Sequence, residues 1–414
     1  MLNPNDTLYF HSIAYDGYHN RYWNSVKQQC GEGGQFFIDI ARKFTPSRLV
    51  SRNGDWSLPW QQEIIPEFEM PAYDPSFSKT YEQVTDERAQ WVRQEIAQGK
   101  KFAIMYSGGI DSTLIMAALI KNLTDEEKTS ILVCASLHSI AENPTFWKKF
   151  IQDKFKVIDS GNLKYDYLIE QGYIPITGDT GDTIFGTVMG LGIYANYDFY
   201  ISELSPESKS HLESIKTEIS NPDVHFSNYK DIILRHFKLD GSPDFPELFY
   251  RKLVKNINTS TVPVNSLHDF FWWEIFNTKY LNCAVRGALY FNDRVDCKTA
   301  IYTIIDWFHN DDYQRWSMVN NNNGQKIVNA INNYKMAARN YIWNVDRNDW
   351  YKHFKLKFLS LSSIAGTQPV DHLDPTRYPA KRVGVTKDFE MLYLDDPGVK
   401  EFFLTNLQNY KIDW

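Results

Sequence analysis

Apolar and polar residues change their spacing several times along the chain, and the changes mark out elements. Thr85, followed by Arg88, Trp91, Val92 and Ile96, predicts a capped amphipathic helix that stops at Gly99. Lys101-Phe102-Ala103-Ile104-Met105-Tyr106 is a short apolar run of the kind that forms a strand covered on both faces. Ser107-Gly108-Gly109 breaks that run. From Asp111 to Leu123 the spacing becomes helical, with Leu114, Ile115, Ala118 and Leu119 apolar. A second buried strand is expected over Ile131 to Leu137, a helix over Thr145 to Phe155, a third strand at Lys156-Val157-Ile158 and a further one at Tyr173 to Thr177. This alternation predicts an α/β fold built on a parallel sheet.

The rest of the chain is coarser in pattern. Residues 1–80 carry Pro59, Pro66, Pro71 and Pro75 among many aromatics and read as an irregular segment of short strands and loops. The α/β core is expected over 81–200, followed at 201–260 by a charged insertion or helical cover. Residues 261–360 are dense in aromatics and predicted helical. The tail, 361–414, is punctuated by Pro369, Pro375, Pro379 and Pro397 and reads as loop-rich.

Composition narrows the classes of partner. The net charge of the 414 residues is −7, which argues against bulk binding of nucleic acid through its phosphates. Aromatics reach 15% of the chain, which suits an aromatic-rich core better than a stacking surface for bases. Cys30, Cys134, Cys283 and Cys297 form no CxxC pair, so neither a zinc site nor a disulfide framework is expected. Cys134 lies inside an apolar run and reads as a small core residue. The first residues lack the pattern of a signal peptide. No run of about 18 apolar residues occurs, so no membrane-spanning helix is expected. The setting these features predict is cytoplasmic.

The strongest chemical signal is Ser107-Gly108-Gly109-Ile110-Asp111-Ser112, set between a strand and a helix. Two glycines let backbone N–H groups approach an anion, and a helix N-terminus adds more N–H groups and a positive dipole end. Ser107 and Ser112 add hydroxyls, which completes a cradle for pyrophosphate. Asp111 is suited to Mg²⁺ rather than to phosphate. A plain glycine turn with an acid at a helix start explains the Asp but not the whole six-residue pattern. A second acidic loop, Gly178-Asp179-Thr180-Gly181-Asp182-Thr183-Ile184-Phe185-Gly186, follows the strand at 173–177. Asp182 is expected as the second Mg²⁺ ligand and Asp179 as a contact to a polar substrate group. An ordinary Asp-rich turn is the competing reading.

The first loop resembles the SGGxDS loop of the PP-loop ATP pyrophosphatases, a superfamily that includes asparagine, GMP and NAD synthetases and several tRNA-modifying enzymes. The resemblance implies an adenine nucleotide alpha hydrolase-like core, Mg·ATP as the cofactor, and cleavage to AMP and pyrophosphate. The second loop is similar to the G-[DE]-G-x-D-E-x-F-G loop of asparagine and β-lactam synthetases. It keeps Gly178, Asp179, Asp182, Phe185 and Gly186, but has Thr183 where Glu is common. In that superfamily the end of the second strand contacts adenine, which here implies Leu137-His138-Ser139. Asparagine synthetases also use a K-x-x-x-R helix and then a further lysine. Lys335 and Arg339 match the former, and Lys355 or its rival Lys357 the latter. Such cations stabilise charge that builds on the α-phosphate and the leaving pyrophosphate.

Full-length asparagine synthetases open with a catalytic Cys after the initiator Met, whereas this chain has Leu2. A glutaminase domain is therefore not expected. The amine would come from free ammonia, from the substrate, or from a separate ammonia-supplying partner. The function expected is an AMP-forming ligase that adenylates a small-molecule carboxylate, or an amide oxygen, for attack by ammonia or an amine. The alternatives are a PP-loop enzyme adenylating a nucleic-acid base, and a non-catalytic nucleotide-binding scaffold.

Overall fold

The computed structural model describes residues 70–160, 163–185, 257–285, 302–321 and 335–354, with shorter pieces at 52, 226–230, 254, 287, 291, 384–385 and 391–392. The chain forms two compact units, each assembled from separated segments. One comprises Lys79–Asp179, Gly287–Trp307 and Lys335–Trp414; the other comprises Met1–Ser78, Thr180–Arg286 and Phe308–Tyr334.

The first unit is an α/β structure around a five-stranded sheet. Its helix α1 spans Tyr81–Ala97. The cap is Thr80, whose side chain accepts from the Gln83 N–H while the Gln83 side chain accepts from the Thr80 N–H. Thr85, expected as the cap, is instead buried within the helix and its Oγ1 donates to the Tyr81 carbonyl at 2.7 Å. A threonine can satisfy its hydroxyl in this way one turn back, so it fits a helix interior as well as a cap. Gly99, at φ +89°, takes the chain out of the helix.

Strands β1 (Lys101–Met105), β2 (Ile131–Ala135), β3 (Lys156–Asp159), β4 (Tyr173–Thr177) and β5 (Ile305–Asp306) pair in the order β3-β2-β1-β4-β5. Every pairing is parallel. The apolar runs read from the sequence are the inner strands: β2 is buried throughout, and β1 everywhere except Lys101. Cys134 lies in this core without a disulfide, and burial pushes its thiol up to about 12. The fifth strand falls within a stretch predicted to be helical. It is only two residues long and is held by its pairing to Ile176 and Thr177.

Helix α2 (Ile110–Asn122) follows β1 and is buried along most of its length, because α1 and α5 (Met336–Asp346) both pack on it. Leu114, Ile115, Ala118 and Leu119 are fully covered, as their spacing predicts. Helix α3 (Leu137–Glu142) follows β2, α4 (Tyr165–Glu170) precedes β4, and α6 (Asp349–Phe354) follows α5. The helix expected over Thr145 to Phe155 is a single turn, Pro144–Phe146, that widens into a π-helical turn at Trp147–Ile151. Asn143 caps it and Pro144 sets its first position, and Asp153 at φ +62° has already left the helix.

At the end of α5, Asp346 is buried with Oδ1 accepting from the Asn348 N–H at 2.9 Å. Burial pushes its carboxyl up to about 6, and a helix C-terminus is a poor place for an anion. The folded state thus holds its proton more tightly than the unfolded state. The stability this gives is complete below about 3.8, the ordinary carboxyl value, and is lost as pH rises through about 6. Asp346→Asn is expected to melt a few degrees higher than the parent at pH 7, with the gain vanishing near pH 4. Thermal unfolding across that range checks it, and a pH-independent difference would contradict it.

The regular elements described in the second unit are helical. They are Gly181–Phe185, a 3₁₀ turn at Phe226–Tyr229, Leu267–Glu274, a π-helical turn at Ile275–Lys279, Tyr280–Val285 and Asp311–Asn321. Trp272, Trp273, Phe276, Tyr280 and Tyr313 are fully buried, so the aromatic density of this part is core. Trp272 stacks on Phe276 with ring centres 5.0 Å apart, and its Nε1 donates to Ser317 Oγ at 3.0 Å. Among the described residues, no helix is long and apolar enough to cross a membrane. In the expected tail the described residues are a two-residue antiparallel pairing, Gly384–Val385 with Met391–Leu392.

Candidate functional site

The sheet order places a topological switch between β1 and β4. The chain runs outward from β1 through β2 to β3, then returns to put β4 on the opposite side of β1. In open parallel sheets the crevice beyond the carboxyl ends of the strands at such a switch is where ligands bind. The loop after β1 is Tyr106–Gly109, and the loop after β4 begins with Gly178 and Asp179. Both loops singled out in the sequence therefore leave the strands that border the switch.

The first loop is braced by its own serines. Ser107 Oγ and Ser112 Oγ lie 3.1 Å apart. The Ser107 N–H donates to Ser112 Oγ at 3.1 Å, and Ser112 Oγ donates to the Gly109 carbonyl at 3.2 Å. Gly109 is the N-cap of α2 and supplies no side-chain acceptor, which leaves the first N–H groups of that helix without a cap bond from it. Gly108 sits at φ +70°, and a Cβ there would fall 2.0 Å from the Ser139 carbonyl oxygen and 2.7 Å from Glu142 Cβ. Only glycine fits. Leu137 is the first residue of α3, and Ser136 caps that helix with Ser139 in a reciprocal box. The β2 end expected to meet adenine is thus also the wall against which the glycines pack.

Asp111 occupies the first turn of α2, where the helix dipole favours an acid. Lys335 reaches it from 224 residues away in sequence, its Nζ bonding both carboxylate oxygens, with Oδ1 at 2.5 Å. The lysine side chain is 2% exposed and the aspartate 23%. Lys335 caps α5 in the left-handed region, at φ +54°. Two residues given separate roles from the sequence therefore form one ion pair. Arg339, its companion in the K-x-x-x-R spacing, turns elsewhere: Nη1 donates to the Lys352 carbonyl at 2.7 Å and ties α5 to α6.

Tyr351, on α6, was not a candidate in the sequence. It is buried, its hydroxyl donates to the Gly108 carbonyl at 2.9 Å, and it lies 3.2 Å from Thr113 Oγ1. Burial holds its phenol well above the ordinary range, with Tyr106 and Glu142 nearby acting in the same direction. It is a neutral donor at any physiological pH. The only sequence signal for it is its place at the head of the basic run Tyr351-Lys352-His353-Phe354-Lys355.

In the second loop Asp179 is half-buried beside the end of β4. Asp182 belongs to the helical unit, in the first turn of Gly181–Phe185, where Lys279 Nζ lies 4.0 Å from Oδ2. Thr183 Oγ1 donates to the Thr180 carbonyl at 2.6 Å and closes that turn. Lys355, Lys357 and Gly186 lie outside the described residues.

The donor chemistry fits Mg·nucleotide. Asp111 offers hard oxygens, both bonded by Lys335 in this structure, and the α2 N-terminus offers N–H groups to phosphate. Among the described residues no three His, Cys, Asp or Glu side chains group into a metal cage. A Mg²⁺ in this crevice would be held by one or two carboxylates together with the phosphates that bring it, as is usual for that ion. Against known protein families, curated proteins and solved structures, the chain shows no significant match.

Proposed function

We propose that this chain binds Mg·ATP at the Ser107–Ser112 loop and is an AMP- and pyrophosphate-forming ligase of asparagine-synthetase type. Its substrate would be a small-molecule carboxylate or amide, activated for attack by ammonia or an amine. The observation that carries the reading is the placement of the Ser-Gly-Gly-Ile-Asp-Ser loop at the β1–β4 switch of a parallel sheet, with Lys335 on Asp111. A loop of this composition at that place combines phosphate donors, a magnesium-binding acid and a buried cation.

In this reading Gly108, Gly109 and the α2 N-terminus hold the phosphates. Asp111 would hold Mg²⁺, which would neutralise phosphate charge when bound. Gly178 and Leu137 border the nucleotide, Asp179 faces the acceptor, and Lys335 sits where charge builds on the leaving pyrophosphate. Lys355 or Lys357 would add a second cation.

The test is pyrophosphate release from Mg·ATP, with ammonium and a panel of amino acids and small carboxylates. Release that requires one carboxylate is the expected result and names the substrate class. ATP binding with silence across the panel would shift weight to a macromolecular substrate or a scaffold. Absence of ATP binding would end the reading.

A further inference from the structure

We propose that Tyr351 is the positioning residue of the phosphate loop, acting through the Gly108 carbonyl. This deepens the nucleotide reading and rests on it. In a trans peptide the C=O and N–H point in opposite directions. Tyr351 draws the Gly108 carbonyl inward at 2.9 Å and so sets the plane of the Gly108–Gly109 peptide. The Gly109 N–H is then directed to the other side, where it donates to Ser107 Oγ at 3.3 Å, a bond that an anion would replace. That is the side from which an anion would take it.

The loop's own contribution to this plane is the 3.3 Å bond from the Gly109 N–H to Ser107 Oγ. At Gly108 the φ of +70° is a conformation that glycine enters and leaves freely, so a second bond from outside the loop narrows the choice. Ser139 and Glu142 close one side by contact. Tyr351 supplies the directed hydrogen bond, and its own place is fixed by the Arg339 bond to the Lys352 carbonyl next to it. Thr113, one turn into α2, flanks the same hydroxyl. The C-terminal helices thereby decide where a loop 243 residues earlier points its amide.

The experiment compares Tyr351→Phe with Thr113→Val, using Mg·ATP and inorganic pyrophosphate as probes in calorimetry, and amide exchange at residues 107–109 in the nucleotide-free protein. Tyr351→Phe leaves a buried carbonyl without its donor, so binding of both probes is expected to weaken about tenfold, and loop amides to exchange faster while those of β1 do not. Thr113→Val, which keeps the Gly108 bond, is expected to bind as the parent does. Equal affinity in Tyr351→Phe, or a loss matched by Thr113→Val, overturns the proposal. If the parent chain itself binds neither probe, the nucleotide reading fails. The positioning role is then decided by exchange alone: faster loop exchange in Tyr351→Phe upholds it, and unchanged exchange overturns it.

Discussion

Gly108→Ala is expected to abolish Mg·ATP binding and to lower the melting temperature more than any other single change in the loop. An alanine at φ +70° carries left-handed strain, and its Cβ would meet the Ser139 carbonyl at 2.0 Å. That oxygen belongs to the backbone of α3 and cannot rotate away, so the helix itself has to shift. Strain and overpacking together come to roughly 2–5 kcal/mol. Gly109→Ala is the internal control. Its φ is −67°, and the nearest atom to its added Cβ is Ser107 Oγ at 3.1 Å, a side chain able to turn. Thermal unfolding and ATP titration of the two variants check the contrast. A Gly108→Ala protein that melts with the parent would show that the loop is not packed as described.

The second large effect concerns the ion pair. Asp111→Asn is expected to abolish pyrophosphate release and also to destabilise the unit, because it takes a negative charge away from a 2% exposed ammonium. Removing one partner of a fully buried pair costs about 3–5 kcal/mol, and roughly 2–3 is expected here since Asp111 is partly exposed and the amide oxygen still accepts a bond. Lys335→Met removes the charge but leaves a carboxylate that water can reach, so its loss of stability should be smaller while its activity is equally lost. The double variant should recover most of the stability lost by Asp111→Asn and none of the activity. A double-mutant cycle in melting temperature measures this. Additive effects in that cycle would mean the pair contributes nothing to the fold.

What the sequence made legible follows from where the information sits. The strands at 101–105 and 131–135 are continuous apolar runs because both faces are covered, and the glycine loop between sheet and helix is a local pattern. The fifth strand was not legible: two residues, Ile305 and Asp306, carry no period and are strand only because Ile176 and Thr177 pair with them. At the start of α1 the cap is Thr80, marked by Gln83 three residues on, and Thr85 carries no such partner signal. Lys335 became a candidate through its spacing to Arg339, yet its bond to Asp111 crosses 224 residues and no local pattern encodes it. Tyr351 was silent for a stronger reason, since its partner is a backbone carbonyl and any residue presents one.

The separation of these partners has a consequence for how the protein is made. After Asp111 a ribosome must add 224 more residues before Lys335 exists, and after Gly108 it must add 243 before Tyr351 does. At about 5–20 residues per second, the first of these waits is roughly 10–45 s. Throughout it the emerging chain presents β1 and its glycines without Lys335 to bond Asp111 and without Tyr351 to bond the Gly108 carbonyl. On the proposed nucleotide reading, ATP would stabilise the unit only once α5 and α6 have left the exit tunnel, which would make nucleotide capture a late event in the life of each molecule.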